Sequence, residues 1–256
     1  MANLFFVPNL MSEKKIYFLH IGKCGGTSFD LLMKEVCREI NVKYIGFCHF
    51  DYSYIESEGT PQKDIDFVTI LRHPVSRAHS QFHFSQTLDW TKGLLMRNQT
   101  FSEHIRDKES IKEYSQALAD GESGFWWLCG IHPGNWVLSD DTNQEYKSTL
   151  LKDKKERLIL AARNLDKTIW FGILEDTQRS MELLKHTLGL ERIPDLPKRN
   201  VTKKYQPIRQ DDVEIVEEYL KGDIWLYKYS LLLFEARWDA YKGNPYVHPE
   251  LPNFEW

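Results

Sequence analysis

The sequence predicts an α/β fold: a single domain with a central parallel sheet flanked by helices. Three observations carry that expectation. Short β-rich apolar runs recur, KIYFLHI at Lys15–Ile21, DFVTIL at Asp66–Leu71 and TIWFGIL at Thr168–Leu174, and each gives way to helical periodicity. The first of these junctions is rich in glycine, as a tight strand-to-helix turn requires. Finally, 256 residues at 42% hydrophobic and 27% charged is an ordinary globular composition. A chain of this size buries about 70–75% of its unfolded surface and needs no metal or disulfide staple.

The elements follow in order. Lys15–Ile21 stops at Gly22, and the turn GKCGGTS leads to a helical stretch over Phe29–Ile40. A second strand, Lys43–Phe47, runs into CHFDYSYI. The third, Asp66–Leu71, runs into RHPVSRAHSQFHF, where Pro74 suits a first helical turn because its missing N–H would find no partner there. From Thr87 to about Gln144 the periodicity loosens, with short helical pieces near Phe101–Arg106 and Ile111–Ala119, and this region is expected to cover the C-terminal edge of the sheet. Helical spacing returns over Glu145–Asn164. Thr168–Leu174 reads as a buried strand and Glu175–Leu188 as the helix after it. The loop RIPDLPKRNVTKKYQP then precedes two last helices, Arg209–Leu220 and Asp223–Tyr241. No internal repeat or low-complexity linker divides the chain, so one domain over residues 1–256 is expected.

Composition excludes several classes of function. A formal charge of -4 and a pI near 6.2 argue against a dedicated nucleic-acid binder, which needs a net basic face to neutralise phosphates. No run approaches the ~20 apolar residues of a membrane span. The short apolar stretch at the start has no basic region ahead of it. Cys24, Cys37, Cys48 and Cys129 form no C-x-x-C pair, which removes the usual zinc and thioredoxin signatures and makes reduced thiols the simpler expectation. The compartment expected is the cytoplasm, unless the chain is the catalytic part of a longer Golgi-type protein.

Two segments carry chemistry. In 20-HIGKCGGTSF-29, Gly22, Gly25 and Gly26 lie between a strand and a helix start, where bare backbone N–H groups can wrap an anion and the helix dipole favours it. Lys23 adds a mobile positive charge; Thr27 and Ser28 add hydroxyls. The loop departs from G-x-x-x-x-G-K-[ST], because Lys23 precedes the glycine pair and no Lys stands before Thr27. A thiolate nucleophile at Cys24 would need an Arg closing the cradle, but position 30 is Asp30, so the Cys24 side chain reads as a small packing group. In LRHPVSRAHSQF, Arg72 ends a strand and Ser80 lies on the second turn of the next helix. A planar guanidinium and a hydroxyl so placed could grip one phosphate. His79 and His83 have metal-ligand spacing but enclose no Glu base, and no metal is expected.

Together, HIGKCGGTS and LRHPVSRAHS resemble the two cofactor signatures of the sulfotransferases that use 3′-phosphoadenosine 5′-phosphosulfate (PAPS), most closely the carbohydrate branch containing heparan sulfate 2-O- and 6-O-sulfotransferases. His73 stands where that family has an acidic residue, while the Arg and Ser that would touch the phosphate are retained. The resemblance implies a P-loop-like phosphate-binding strand–loop–helix. Gly22, Lys23, Cys24, Gly25, Gly26, Thr27 and Ser28 would hold the 5′-phosphosulfate, and Arg72 and Ser80 the 3′-phosphate. It extends to 47-FCHFDYSYI-55, which matches the family's catalytic His at His49, and to 170-WFGILEDTQRSMELL-184. It also takes in 198-KRNVTKK-204, where Asn200, Thr202 and Lys203 would lie near the cofactor, and DIWLYKYSLLLFEAR. Residues 87–144 remain unmatched and are the expected acceptor-specificity or lid region.

The activity implied is in-line transfer of a sulfuryl group from PAPS to an acceptor hydroxyl, with 3′-phosphoadenosine 5′-phosphate (PAP) as product and no metal. Such a site needs a base, which imidazole at His49 suits, and a cation at the departing phosphate, which Lys23 supplies. His20 reads as structural. The acidic composition favours a small metabolite or a carbohydrate over a polyanion as acceptor. Trp90, Trp126, Trp127 and Trp136 are candidates to line its pocket. The sequence leaves two alternatives open, a P-loop-like kinase or ATPase and a non-catalytic nucleotide-binding protein. It says nothing of oligomeric state.

Overall fold

The structure, a computed structural model, describes residues 14–46, 64–86, 99–107, 128, 154–197 and 207–254. Its centre is a sheet of four parallel strands, β1 (Lys15–Leu19), β2 (Lys43–Ile45), β3 (Ile65–Leu71) and β4 (Trp170–Ile173), in the order β2-β1-β3-β4. Lys15 of β1 lies opposite Lys43 on one side and Ile65 on the other, and Val68 of β3 lies opposite Trp170. All seven residues of β3 are buried, which is why its sequence is a near-continuous apolar run: a strand with parallel neighbours on both sides has no wet face. Its one carboxylate, Asp66, is met by Lys14 Nζ at 3.0 Å.

Helices cover the sheet. α1 (Gly26–Glu39) buries Phe29, Leu32, Met33, Val36 and Cys37, a three-and-four spacing that turns one stripe to the core. Tyr44 Oη ties β2 back to this helix by donating to Asp30 Oδ1 at 3.1 Å. α2 (Pro74–Ser85) follows β3, with Pro74 in its first turn. α3 (Phe101–His104) is a single turn closed by a capping box between Thr100 and Glu103. α4 (Lys154–Lys167) leads into β4, which passes through a 3-10 turn, Leu174–Asp176, into α5 (Thr177–Thr187). α6 (Gln210–Tyr219) and α7 (Lys221–Tyr241) end the fold. α7 packs against α2, α4, α5 and β4. A second apolar cluster joins α2, α3 and α6 through Val75, Ala78, Phe82, Phe101, Ile105, Val216 and Leu220.

The expected α/β class with a parallel sheet is what the chain forms, and the strands fall where the apolar runs lie. Several boundaries differ. α1 starts at Gly26, not at Phe29, so the small residues Gly26, Thr27 and Ser28 form its first turn despite their modest helix propensity. β1 ends at Leu19 and β2 at Ile45. The 3-10 turn delays α5 to Thr177, and α7 begins at Lys221 because only Leu220 separates it from α6. α4 runs past Asn164 to Lys167, whereas its expected N-terminal portion and the piece at Ile111–Ala119 lie outside the described residues. Among the described residues no helix is long and apolar enough to cross a membrane.

Strand order places the site. The chain passes from β1 through α1 to β2 on one side, then returns across β1 to lay β3 on the other. The loops after β1 and β3 therefore diverge from neighbouring strands at the C-terminal edge, the crevice where open α/β sheets bind ligands.

Candidate functional site

The loop after β1 is shaped by two glycines. Gly25 is the N-cap of α1 at φ 79°, the left-handed region, and no side chain caps the helix. Gly26 is fixed by a neighbour: a Cβ there would lie 1.9 Å from His20 Cδ2, so the buried imidazole packs directly on the Gly26 backbone. His20 thus has the structural role expected of it. Above Gly22 a Cβ would meet nothing within 4 Å, which leaves that stretch of backbone open to an approaching group. The first-turn amides of α1 and the helix dipole make this end electropositive.

Lys23 holds the strained position in the loop. Its φ is 65°, uncommon for a residue with a side chain, and such a conformation persists where neighbours determine it. They do so at both ends of the residue. Arg72 Nη1 donates to the Lys23 carbonyl oxygen at 3.0 Å. The Lys23 ammonium lies over the ring of Phe84, 3.8 Å from its centroid. Cys24 is 2% exposed, and burial pushes its thiol up to about 12, against the pull of Arg77 and Arg72. At neutral pH it is a protonated packing group, as expected, without the thiolate that nucleophilic chemistry needs.

Beneath the loop, α7 braces the junction of β3 and α2. Arg77 Nη2 pairs with Asp223 Oδ2 at 3.0 Å, with side chains 7% and 3% exposed. Glu175, in the 3-10 turn after β4, accepts from the His73 backbone N–H through Oε1 and from Tyr227 Oη through Oε2, each at 3.0 Å. The His73 and Tyr227 rings meet edge to face at 5.3 Å. Burial and the Glu175 carboxylate push the Tyr227 phenol upward, so it stays a donor. Ile21, Cys24, Arg72, Arg77, Asp223 and Tyr227 line a small pocket under the loop.

The structure therefore gathers Gly22, Lys23, Cys24, Gly25, Gly26, Thr27, Ser28 and Arg72 at one edge of the sheet. Ser80 is buried on α2 and shares a helical face with Arg77 and Phe84, at i-3 and i+4. Since the Lys23 ammonium rests on Phe84, that face is turned toward the loop. His79 and His83 approach each other at 3.0 Å between Nε2 atoms. Among the described residues no group of three or more His, Cys, Asp or Glu is placed to hold a metal ion. His49, Asn200, Thr202 and Lys203 lie outside the described residues, as do Trp90, Trp126, Trp127 and Trp136 and most of 87–144. Sequence reading missed Phe84, Glu175, Asp223 and Tyr227. Only Phe84 left a usable signal, four residues past Ser80 on a helix already expected.

Compared with known protein families and with curated proteins, the chain matches no family model and no curated sequence. What fold and site define together is a parallel α/β protein whose glycine-rich loop is clasped by the arginine of the next strand-to-helix turn.

Proposed function

We propose that the protein is a cytoplasmic PAPS-dependent O-sulfotransferase acting on a hydroxyl of a small metabolite or carbohydrate. The observation that supports this reading is the clasp between the two motifs: the Arg72 guanidinium donates to the Lys23 carbonyl at 3.0 Å, so the two segments proposed to bind phosphate meet at the same edge of the sheet. A nucleotide phosphorylated at both its 3′ and 5′ positions calls for two such segments side by side. In this reading Gly22–Ser28 wrap the 5′-phosphosulfate with backbone N–H groups and hydroxyls. Arg72 and Ser80 take the 3′-phosphate, and Asn200, Thr202 and Lys203 contribute from the later loop. His49 accepts the acceptor hydroxyl proton as the new O–S bond forms. The S–O bond to the 5′-phosphate breaks on the opposite side, and Lys23 stabilises the charge left on the departing oxygen. Positioning and electrostatics do the work, as in phosphoryl transfer, with no metal assigned a part.

The test is calorimetric binding of PAP without magnesium, beside ATP with magnesium, followed by transfer of radiolabelled sulfate from PAPS to neutral, cationic and polyanionic acceptors. Binding of PAP alone and labelling of a neutral or cationic acceptor are expected. Binding of magnesium–ATP without PAP would overturn the reading in favour of a kinase or ATPase. Tight PAP binding with no labelling across the panel would favour a non-catalytic nucleotide-binding protein.

A further inference from the structure

Resting on that reading, we infer that Phe84 is a positioning residue for Lys23: its ring holds the loop's ammonium in place before the nucleotide arrives. Phe84 is a large aromatic left 43% exposed at the end of α2, where a polar residue would cost nothing in solvation. The Lys23 ammonium sits 3.8 Å from its centroid, well inside the distance at which a cation is attracted by the ring face.

The contact matters because of what else holds Lys23. A lysine side chain has large rotamer entropy, and a loop residue that must find its ligand afresh loses that freedom on binding. Here the backbone is set by Arg72 Nη1 on the carbonyl and by φ 65°, and the tip by Phe84. Arg72 precedes α2 and Phe84 lies in its last turn, with Ser80 one turn before Phe84. A single strand–helix unit thus carries the groups assigned to the 3′-phosphate and also fixes the cation assigned to the 5′ end, so the two ends of the nucleotide are read at a set spacing.

Carbon-13 reductive dimethylation of the lysines keeps their charge and gives each an NMR resonance. The Lys23 signal, assigned by its loss in Lys23→Arg, is expected upfield of the bulk through the ring current of Phe84. It should return to the bulk position in Phe84→Leu and stay displaced in Phe84→Trp. PAP affinity of the unmethylated protein, read by calorimetry, should fall about two- to fivefold in Phe84→Leu, the range of an exposed cation–π contact, and recover in Phe84→Trp. A Lys23 resonance unchanged in Phe84→Leu overturns the inference, and so does a moved resonance with unchanged affinity. A wild-type protein that binds no PAP overturns the functional reading instead. That failure is distinguishable, because the resonance reports the Lys23–Phe84 contact without any ligand.

Discussion

Arg72 has one guanidinium nitrogen on the Lys23 carbonyl, which leaves the rest of its planar fork for an anion. Replacing it with Ala should weaken PAP binding by about 1.5–3 kcal/mol, the worth of a charge-assisted hydrogen bond, and Ser80→Ala should weaken it less. Calorimetry that finds both affinities unchanged removes these residues from the 3′-phosphate. The two residues assigned to the chemical step should separate kinetically. His49→Ala is expected to keep PAP affinity nearly intact while turnover on an identified acceptor falls about 10²–10⁴-fold. Lys23→Ala should lower both, since in the proposed reaction its ammonium would contact the donor before and during transfer. Equal loss of PAP affinity in the two variants would point to another base. At this scale the sequence was informative about the loop and poor about its supports. Lys23, Gly25, Gly26 and Arg72 stand in compact motifs. Asp223, by contrast, meets Arg77 across 146 residues of chain, and Glu175 meets His73 across 102, separations over which no local pattern survives.

At the scale of elements, α7 is held to α2 by a buried ion pair, and removing one partner strands the other charge. Asp223→Ala should cost about 3–5 kcal/mol in a denaturant titration. The exposed fork of Arg179 on Glu235, both contacts at 2.8 Å, should cost under about 1 kcal/mol when Glu235 becomes Ala, because water and salt screen it. The packing of α2 against α3 sets an acid limit. Burial lowers His79 and His104 from 6.5 to about 4, so both are neutral in the fold. The unfolded chain takes up these protons first as pH falls. Their contribution to stability is therefore complete above about pH 6.5 and declines as the pH falls toward about 4, which thermal melts across that window should follow. A His104→Phe variant should flatten the decline. The strands were legible because parallel strands buried on both faces are continuous apolar runs, as in Ile65–Leu71. The start of α1 was misread for the opposite reason. Gly26 lies in the helix not by propensity but because His20 occupies the space of its missing side chain.

For the molecule as a whole, ligand linkage gives a test that needs no acceptor. PAP at a hundred times its dissociation constant should stabilise the fold by about 2.7 kcal/mol, and the melting midpoint should rise accordingly. Magnesium–ATP at the same concentration should shift it far less. Equal shifts would indicate a general polyphosphate site. The return of the chain across β1 has a further meaning for synthesis on the ribosome. β1 and its loop emerge early, but their clasp, Arg72, is made only after β3 has been added, and the brace on Arg77 comes later still, with Asp223. A domain generally folds as a unit, so its fold waits for the elements that complete it to be translated. A nascent chain halted before α7 would already carry both motifs yet lack the acid that neutralises Arg77, so the crevice is completed among the last steps of the molecule's making.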